Sequence, residues 1–226
     1  MQAANLLKGT LETATLECWQ RERTATPVRA FAVRLHAAGL SLRETTAVLE
    51  LLGVSRSHGA VWQWTHRVAD SVDDPPAASP RRVAVDETVV KVNGEWLWLY
   101  TAIDLNSKLL LHIDLFERRG TDPAVQFLDA LTQKHDCSQT VFLTDDFGYR
   151  TALSRLALAG QLNYTDRNQI EKWFQTLKMR IDRFHTSWVG SRQSAYEWLV
   201  QFSHYYNTQR PHQALDGRTP IQEVRN

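Results

Sequence analysis

The 226-residue chain carries a formal net charge of +1, with 43% hydrophobic and 23% charged residues. That balance suits a globular protein with a real core and excludes a disordered or fibrous one. No apolar run approaches the roughly 18 residues that span a bilayer, and no signal-peptide pattern opens the sequence, so a cytosolic protein that engages no membrane is expected. Cys18 and Cys137 lie far apart without a CxxC partner, which points to reduced thiols and away from a disulfide framework or a zinc site.

In chain order, Pro27 to Leu40 and Ser41 to Leu52 read as helices, with Gly39 ending the first and Ser41 and Glu44 forming a capping box for the second. A third helix starting near Ser55 or Ser57 carries Val61, Trp64 and Val68, and a turn at Gly53 gives the outline of a helix-turn-helix. The segment SVDDPPAASPRR, with Pro75-Pro76, breaks the helical pattern. The expected domains are therefore a helical module over 1–74, a linker over 75–82 and a second domain over 83–226 that includes the C-terminal helices.

After the linker, Val83 to Val92, Trp96 to Leu105 and Leu109 to Phe116 are rich in Val, Ile, Leu, Trp and Tyr. Gly94 and Asn106-Ser107 separate them as turns, so three consecutive antiparallel strands are predicted. A helix from Asp122 to Lys134, a short buried strand from Thr140 to Asp145, a helix from about Tyr149 to Ala159 and a short strand near Leu162 follow. RNQIEKWFQTLKMRIDRF is an amphipathic helix whose stripe is Ile170, Trp173, Phe174, Leu177, Ile181 and Phe184, and a last helix runs from Arg192 to Asn207. At roughly 100° per residue, Glu171 flanks that stripe, on the azimuth shared by Gln175, Lys178 and Asp182. This order predicts an α/β, ribonuclease-H-like fold, a mixed five-stranded sheet with helices, preceded by the small all-α module.

Such a fold offers a carboxylate on its first strand, one at the tip of its fourth and one on a later helix packed against the sheet: Asp86 in VAVDET, Asp145 in FLTDD and Glu171. Acids scattered in sequence but converging in space suit phosphodiester chemistry, in which two Mg²⁺ about 3.5–4 Å apart activate the attacking oxygen and stabilise the leaving one. Asp86, flanked by Val83 and Val85, is costly to bury without compensation, and a metal is one compensation. Asp146 is an alternative to Asp145 as ligand or as the residue capping the turn, while Asp104 and Asp114 are expected to face solvent on alternating strands. No P-loop, HExxH or GxSxG pattern competes. The charge distribution agrees: residues 1–80 hold 8 Lys/Arg and 8 Asp/Glu, residues 81–166 hold 9 and 12, and residues 167–226 hold 9 and 5. An acidic centre before a basic end fits a metal-holding cluster beside a phosphate-meeting surface.

The stretches VAVDETVVKVNGEWLWLYTAID, VFLTDDFGY, RNQIEKWFQTLKMRIDRF and YYNTQRPHQALDGRTP resemble the insertion-sequence transposases with an Asp-Asp-Glu triad, most closely the insertion-sequence-six type of bacteria and archaea, over roughly residues 15 to 223. The resemblance implies that Asp86, Asp145 and Glu171 are catalytic and hold Mg²⁺, for which Mn²⁺ substitutes. It also implies that the protein binds the terminal inverted repeats of its element, releases a 3′-hydroxyl and joins it to target DNA, acting as a homodimer or higher oligomer in the prokaryotic cytosol. Only 25 residues separate Asp145 from Glu171, fewer than in many relatives. Two alternatives are a ribonuclease-H-like nuclease that cleaves without joining and a decayed copy that only binds DNA.

For end recognition the candidate is the third helix, through Ser57, His58, Gln63 and Arg67, with Arg56 at its entry to meet phosphate and Val61 and Trp64 packing inward. Lys178 and Arg180 lie downstream of Glu171; Lys178 is placed either to touch a phosphate near the metals or to pair with Asp182. Arg210 and His212 are further candidate DNA contacts, in a stretch whose Pro211, Gly217 and Pro220 first serve to turn the chain.

Overall fold

The computed structural model describes residues 3–19, 23–72, 75–144, 147–162, 168–182 and 188–225. In chain order its main elements are α1 (Ala3–Ala14), α2 (Thr26–Ala37), α3 (Leu42–Leu51), α4 (His58–Ala69), β1 (Arg82–Val92), β2 (Glu95–Asp104), β3 (Leu110–Phe116), α5 (Thr121–Lys134), β4 (Val141–Thr144), α6 (Phe147–Arg155), β5 (Gly160–Leu162), α7 (Asn168–Asp182), α8 (Arg192–Thr208) and α9 (Pro220–Val224). They form two compact units, one from Met1–Asp74 with Arg192–Pro211 and one from Pro75–Ser191 with His212–Asn226. No helix among the described residues is long and apolar enough to cross a membrane.

This division differs from the expected one at two places. Helix α8, expected with the second domain, groups with the N-terminal helices. The expected linker is also docked over part of its length: the Ala78 carbonyl accepts from the Asp136 N–H at 2.9 Å, the Ala78 N–H donates to His135, and the Thr140 hydroxyl donates to the Pro80 carbonyl.

The helical unit packs α2, α3 and α4 around Ala30, Val33, Leu49, Val61, Trp64 and Val68. Ser41 caps α3 as expected, its side chain accepting from the Glu44 N–H while the Glu44 carboxylate accepts from the Ser41 N–H. No helix was named before Pro27; α1 carries Gly9 in its interior, where glycine costs about 1 kcal/mol relative to alanine. A Cβ on Gly9 would lie 2.6 Å from Arg34 Nε, so the glycine lets α1 approach a buried arginine. The Arg34 guanidinium bonds the Gln209 side chain at 2.5 Å and the Gln209 carbonyl at 3.1 Å and lies over the Tyr205 ring. One buried cation thereby ties α1 and α2 to the end of α8.

In the second unit the sheet order is β3-β2-β1-β4-β5, with β1, β2 and β3 antiparallel and β4 and β5 parallel to β1. Asn93 and Gly94, both at positive φ (50° and 88°), make the two-residue turn whose twist matches a β1–β2 hairpin. Successive strand residues alternate between the two faces. Val83, Val85, Tyr100, Ala102 and Phe142 face α5 and α6 and build one core with Phe127, Leu128, Leu131 and Leu153. Ala84, Asp86, Leu99, Thr101 and Ile103 fall on the opposite face and are buried as well. Helix α7 lies against β1 and β2, and its buried stripe of Ile170, Trp173, Phe174 and Leu177 is not part of the first core, so α7 covers this second face.

Candidate active site and nucleic-acid interface

Asp86 sits mid-strand in β1, the central strand, on the face that α7 covers, and only 7% of its surface is exposed. Its Oδ1 accepts the N–H of Glu87 at 2.9 Å. Directly opposite on β2 stands Thr101, fully buried, whose hydroxyl finds no hydrogen-bond partner among the described residues. A carboxylate this deep carries a desolvation cost of several kcal/mol unless matched by positive charge or hydrogen bonds.

Glu171 lies in the first turn of α7, half-buried beside the fully buried Ile170 and Trp173, while Lys172, Gln175 and Lys178 are exposed. Its place at the edge of the stripe is therefore the one its azimuth predicts. Ile181 and Phe184, at the end of that stripe, lie outside the residues whose side chains are described, as does the Arg180 side chain. Asp145 and Asp146 also lie outside the described residues. Among the described residues no three His, Cys, Asp or Glu side chains cluster to hold a metal.

The two strand aspartates expected to face solvent do otherwise. Asp104 is buried, and its carboxylate accepts from the N–H groups of Asn106 and Ser107, each at 3.1 Å, and from the Ser107 hydroxyl at 2.5 Å, so it builds the β2–β3 turn. Asp114 is half-buried opposite Tyr100 and accepts the Leu115 N–H at 2.7 Å. Sequence reasoning also passed over a buried pair beside Asp86: the Tyr149 hydroxyl of α6 donates to Glu87 at 2.6 Å. Burial, followed by the Glu87 carboxylate, pushes the Tyr149 phenol well above its ordinary range, so it stays a donor. The bond ties α6, which begins just past Asp145 in the chain, to the residue after Asp86.

In the helical unit the expected contact residues divide. His58 and Gln63 are exposed on α4. Ser57 is its N-cap, accepting the Ala60 N–H at 3.2 Å. Arg56 is half-buried and donates to Thr24 at 2.7 Å, and Arg67 is half-buried. Trp62, which the sequence reading did not single out, is 42% exposed beside Gln63, its ring centroid 4.0 Å from that of His66. The signal for it was angular, since Val61 and Trp64 take the buried face. Arg210 is half-buried with its guanidinium 5.6 Å from the centre of the Tyr206 ring, and His212 is half-buried in the second unit.

Comparison with known proteins places this geometry in a family. The model of the DDE domain of IS240-type transposases matches residues 80–212, more than half of the chain. An uncharacterised protein of Methanocaldococcus jannaschii is 25% identical over 194 residues, covering 84% of this chain and 89% of its own. The transposase for the insertion sequence-like element IS431mec of Staphylococcus aureus is 23% identical over 196 residues, covering 82% of this chain and 86% of its own. Among solved structures, a chain in the cryo-EM structure of the simian T-cell lymphotropic virus intasome in complex with PP2A regulatory subunit B56 gamma matches with a TM-score of 0.50 at 14% identity, covering 86% of this chain and 74% of that one, a likeness of fold. With a ribonuclease-H-like sheet, an acid on its central strand and the DDE-domain match over residues 80–212, the chain belongs to the DDE-domain transposases of insertion sequences, of the insertion-sequence-six type.

Proposed function

We propose that the protein binds the terminal inverted repeats of its element, cleaves one strand at each end with Mg²⁺ and joins the freed 3′-hydroxyl to target DNA. The observation that carries this is the position of Asp86: a nearly buried carboxylate on the central strand, under the helix that bears Glu171 at its flank. Asp145, which directly follows the last residue of β4 in the chain, completes the proposed set, since β4 pairs with β1 on the side away from β2. These residues fit hard divalent cations, because all the donors are oxygens, Asp86 is nearly buried on the sheet, and the hydroxyl of Thr101 on the same face finds no hydrogen-bond partner among the described residues. Held by the three acids, Mg²⁺ supplies Lewis acidity at the scissile phosphate and neutralises charge on the leaving oxygen.

The chain's own part is to position. The rigid sheet and the packed stripe of α7 fix two of the acids before DNA arrives, which lowers the reorganisation that catalysis would otherwise require. Cleavage forms a phosphorus–oxygen bond from water and breaks the bond to the 3′-oxygen, which leaves as a hydroxyl. Joining forms one phosphodiester and breaks another, so no nucleotide energy source is needed. Helix α4, through His58, Trp62 and Gln63, with Arg67 and the capped N-terminus at Ser57, reads the ends; Arg56 orders the entry to the helix, and Lys178, Arg180 and Arg210 add phosphate contacts. The protein works in the prokaryotic cytosol as a dimer or larger assembly that bridges two ends.

Strand transfer in vitro with Mg²⁺ and a DNA fragment bearing both ends tests this. Asp86→Ala, Asp145→Ala and Glu171→Ala are expected to bind the ends like the parent yet neither cleave nor join. Normal joining by any of them would overturn its assignment, and cleavage by the parent without joining would make the protein a nuclease.

A further inference from the structure

Thr101 is buried to 0% exposure in a strand whose nearest residues on the same face, Leu99 and Ile103, are apolar, and its neighbour on β3 is Ile113. A buried hydroxyl without a partner costs about 1–3 kcal/mol, so such groups in folded proteins commonly mark an unseen water or ion. Its direct cross-strand neighbour is Asp86, and side chains so paired have Cβ atoms about 4.5–5.5 Å apart on one face. The diagonal neighbours on β1 are Ala84 and Thr88. The register of β2 against β3 also shifts between Ala102 and Ile103, one residue beyond Thr101. Irregularities of this kind gather beside active sites, where they re-aim side chains.

We infer that Thr101 is a positioning residue of the Asp86 site: its hydroxyl bonds to a water held on the metal-binding carboxylate and fixes how that carboxylate presents its oxygens. The inference rests on the reading of Asp86 as a metal-holding acid. It gives a role to a fully buried hydroxyl that has no hydrogen-bond partner among the described residues. Partners of this outer kind typically change metal affinity by about 10–100-fold when removed.

The test uses the full chain and Mn²⁺ as probe, with binding followed by titration calorimetry and folding by thermal melting without metal. Thr101→Val keeps the shape and removes the hydroxyl; it is expected to melt at or above the parent temperature without metal and to bind Mn²⁺ about tenfold more weakly. Thr101→Ser restores the hydroxyl and is expected to bind within about twofold of the parent, with Thr101→Ala carrying the same comparison should the valine variant misfold. Parental Mn²⁺ affinity in the hydroxyl-free variants, or equal weakness in the serine variant, overturns the inference. So does a lowered melting temperature of Thr101→Val without metal, which would mean the hydroxyl is already satisfied. Asp86→Asn separates the two levels: if it binds Mn²⁺ like the parent, the metal reading of Asp86 falls, and the role of Thr101 with it.

Discussion

Acidification should loosen the helical unit through one residue, His36 of α2. Its ring is 3% exposed, and its Nδ1 lies 2.8 Å from the Leu40 carbonyl, which can only accept, so Nδ1 carries a proton. Burial, offset in part by that bond and aided by the nearby His66, lowers its pKa from 6.5 to about 4. The folded value lies below the unfolded one, so the unfolded chain takes up the proton first. The stabilising contribution is complete above pH 6.5 and is lost as the pH falls toward 4. At pH 5 the unfolded group is about 97% protonated and the folded one about 10%, which lowers stability by about 2 kcal/mol relative to pH 7. Hydrogen exchange of α2 and α4 at the two pH values, in the parent and in His36→Asn, reads this directly. Asparagine keeps a donor near the Nδ1 position and does not titrate, so the parent should lose about 2 kcal/mol more protection than the variant. Parallel pH profiles would show that His36 titrates in the fold as it does in the open chain.

On propensity alone, Gly9→Ala should stabilise α1 by up to about 1 kcal/mol. The new methyl would meet Arg34 atoms at 2.6 and 2.8 Å, and that guanidinium is held by Gln209 and Tyr205, so a net loss of about 1–2 kcal/mol is expected in chemical denaturation; a gain would mean that Arg34 moves aside freely. Tyr149→Phe removes a buried donor from the Glu87 carboxylate and should cost about 1.5–3 kcal/mol in the same assay. Unchanged stability would show that Glu87 finds another partner at once.

The strands were legible because their Val, Ile and Trp runs end at residues that only turns favour, and Asn93-Gly94 adopts the positive φ values that such a dipeptide suggests. The flank position of Glu171 was legible for a similar reason, since helical spacing fixes azimuth whatever the partner. Spacing does not say what a stripe packs against, so it could not show that α8 groups with the N-terminal helices. Its Arg34–Gln209 bond joins residues 175 apart in sequence, which no local pattern encodes. The place of Gly9 is likewise set by a residue on another helix, Arg34, and not by its own neighbours in the chain. Thr101 and Glu87 looked like ordinary strand residues, and only register showed which carboxylate stands across from the one and which phenol meets the other.

The helical unit is made from both sides of the second unit in the sequence, and this orders its birth on the ribosome. At about 5–20 residues per second, residues 75–191 take on the order of 6 to 24 s to emerge after the first helices are made. Through that interval Arg34 has no Gln209 to bond and His66 has no Glu197 to meet. The bonds of Arg34 and His66 to this last segment form only when α8 and Gln209 arrive, by which time the whole sheet has been synthesised. A chain broken off anywhere in residues 75–191 therefore carries an incomplete helical unit, one that lacks α8 and the Gln209 that holds Arg34.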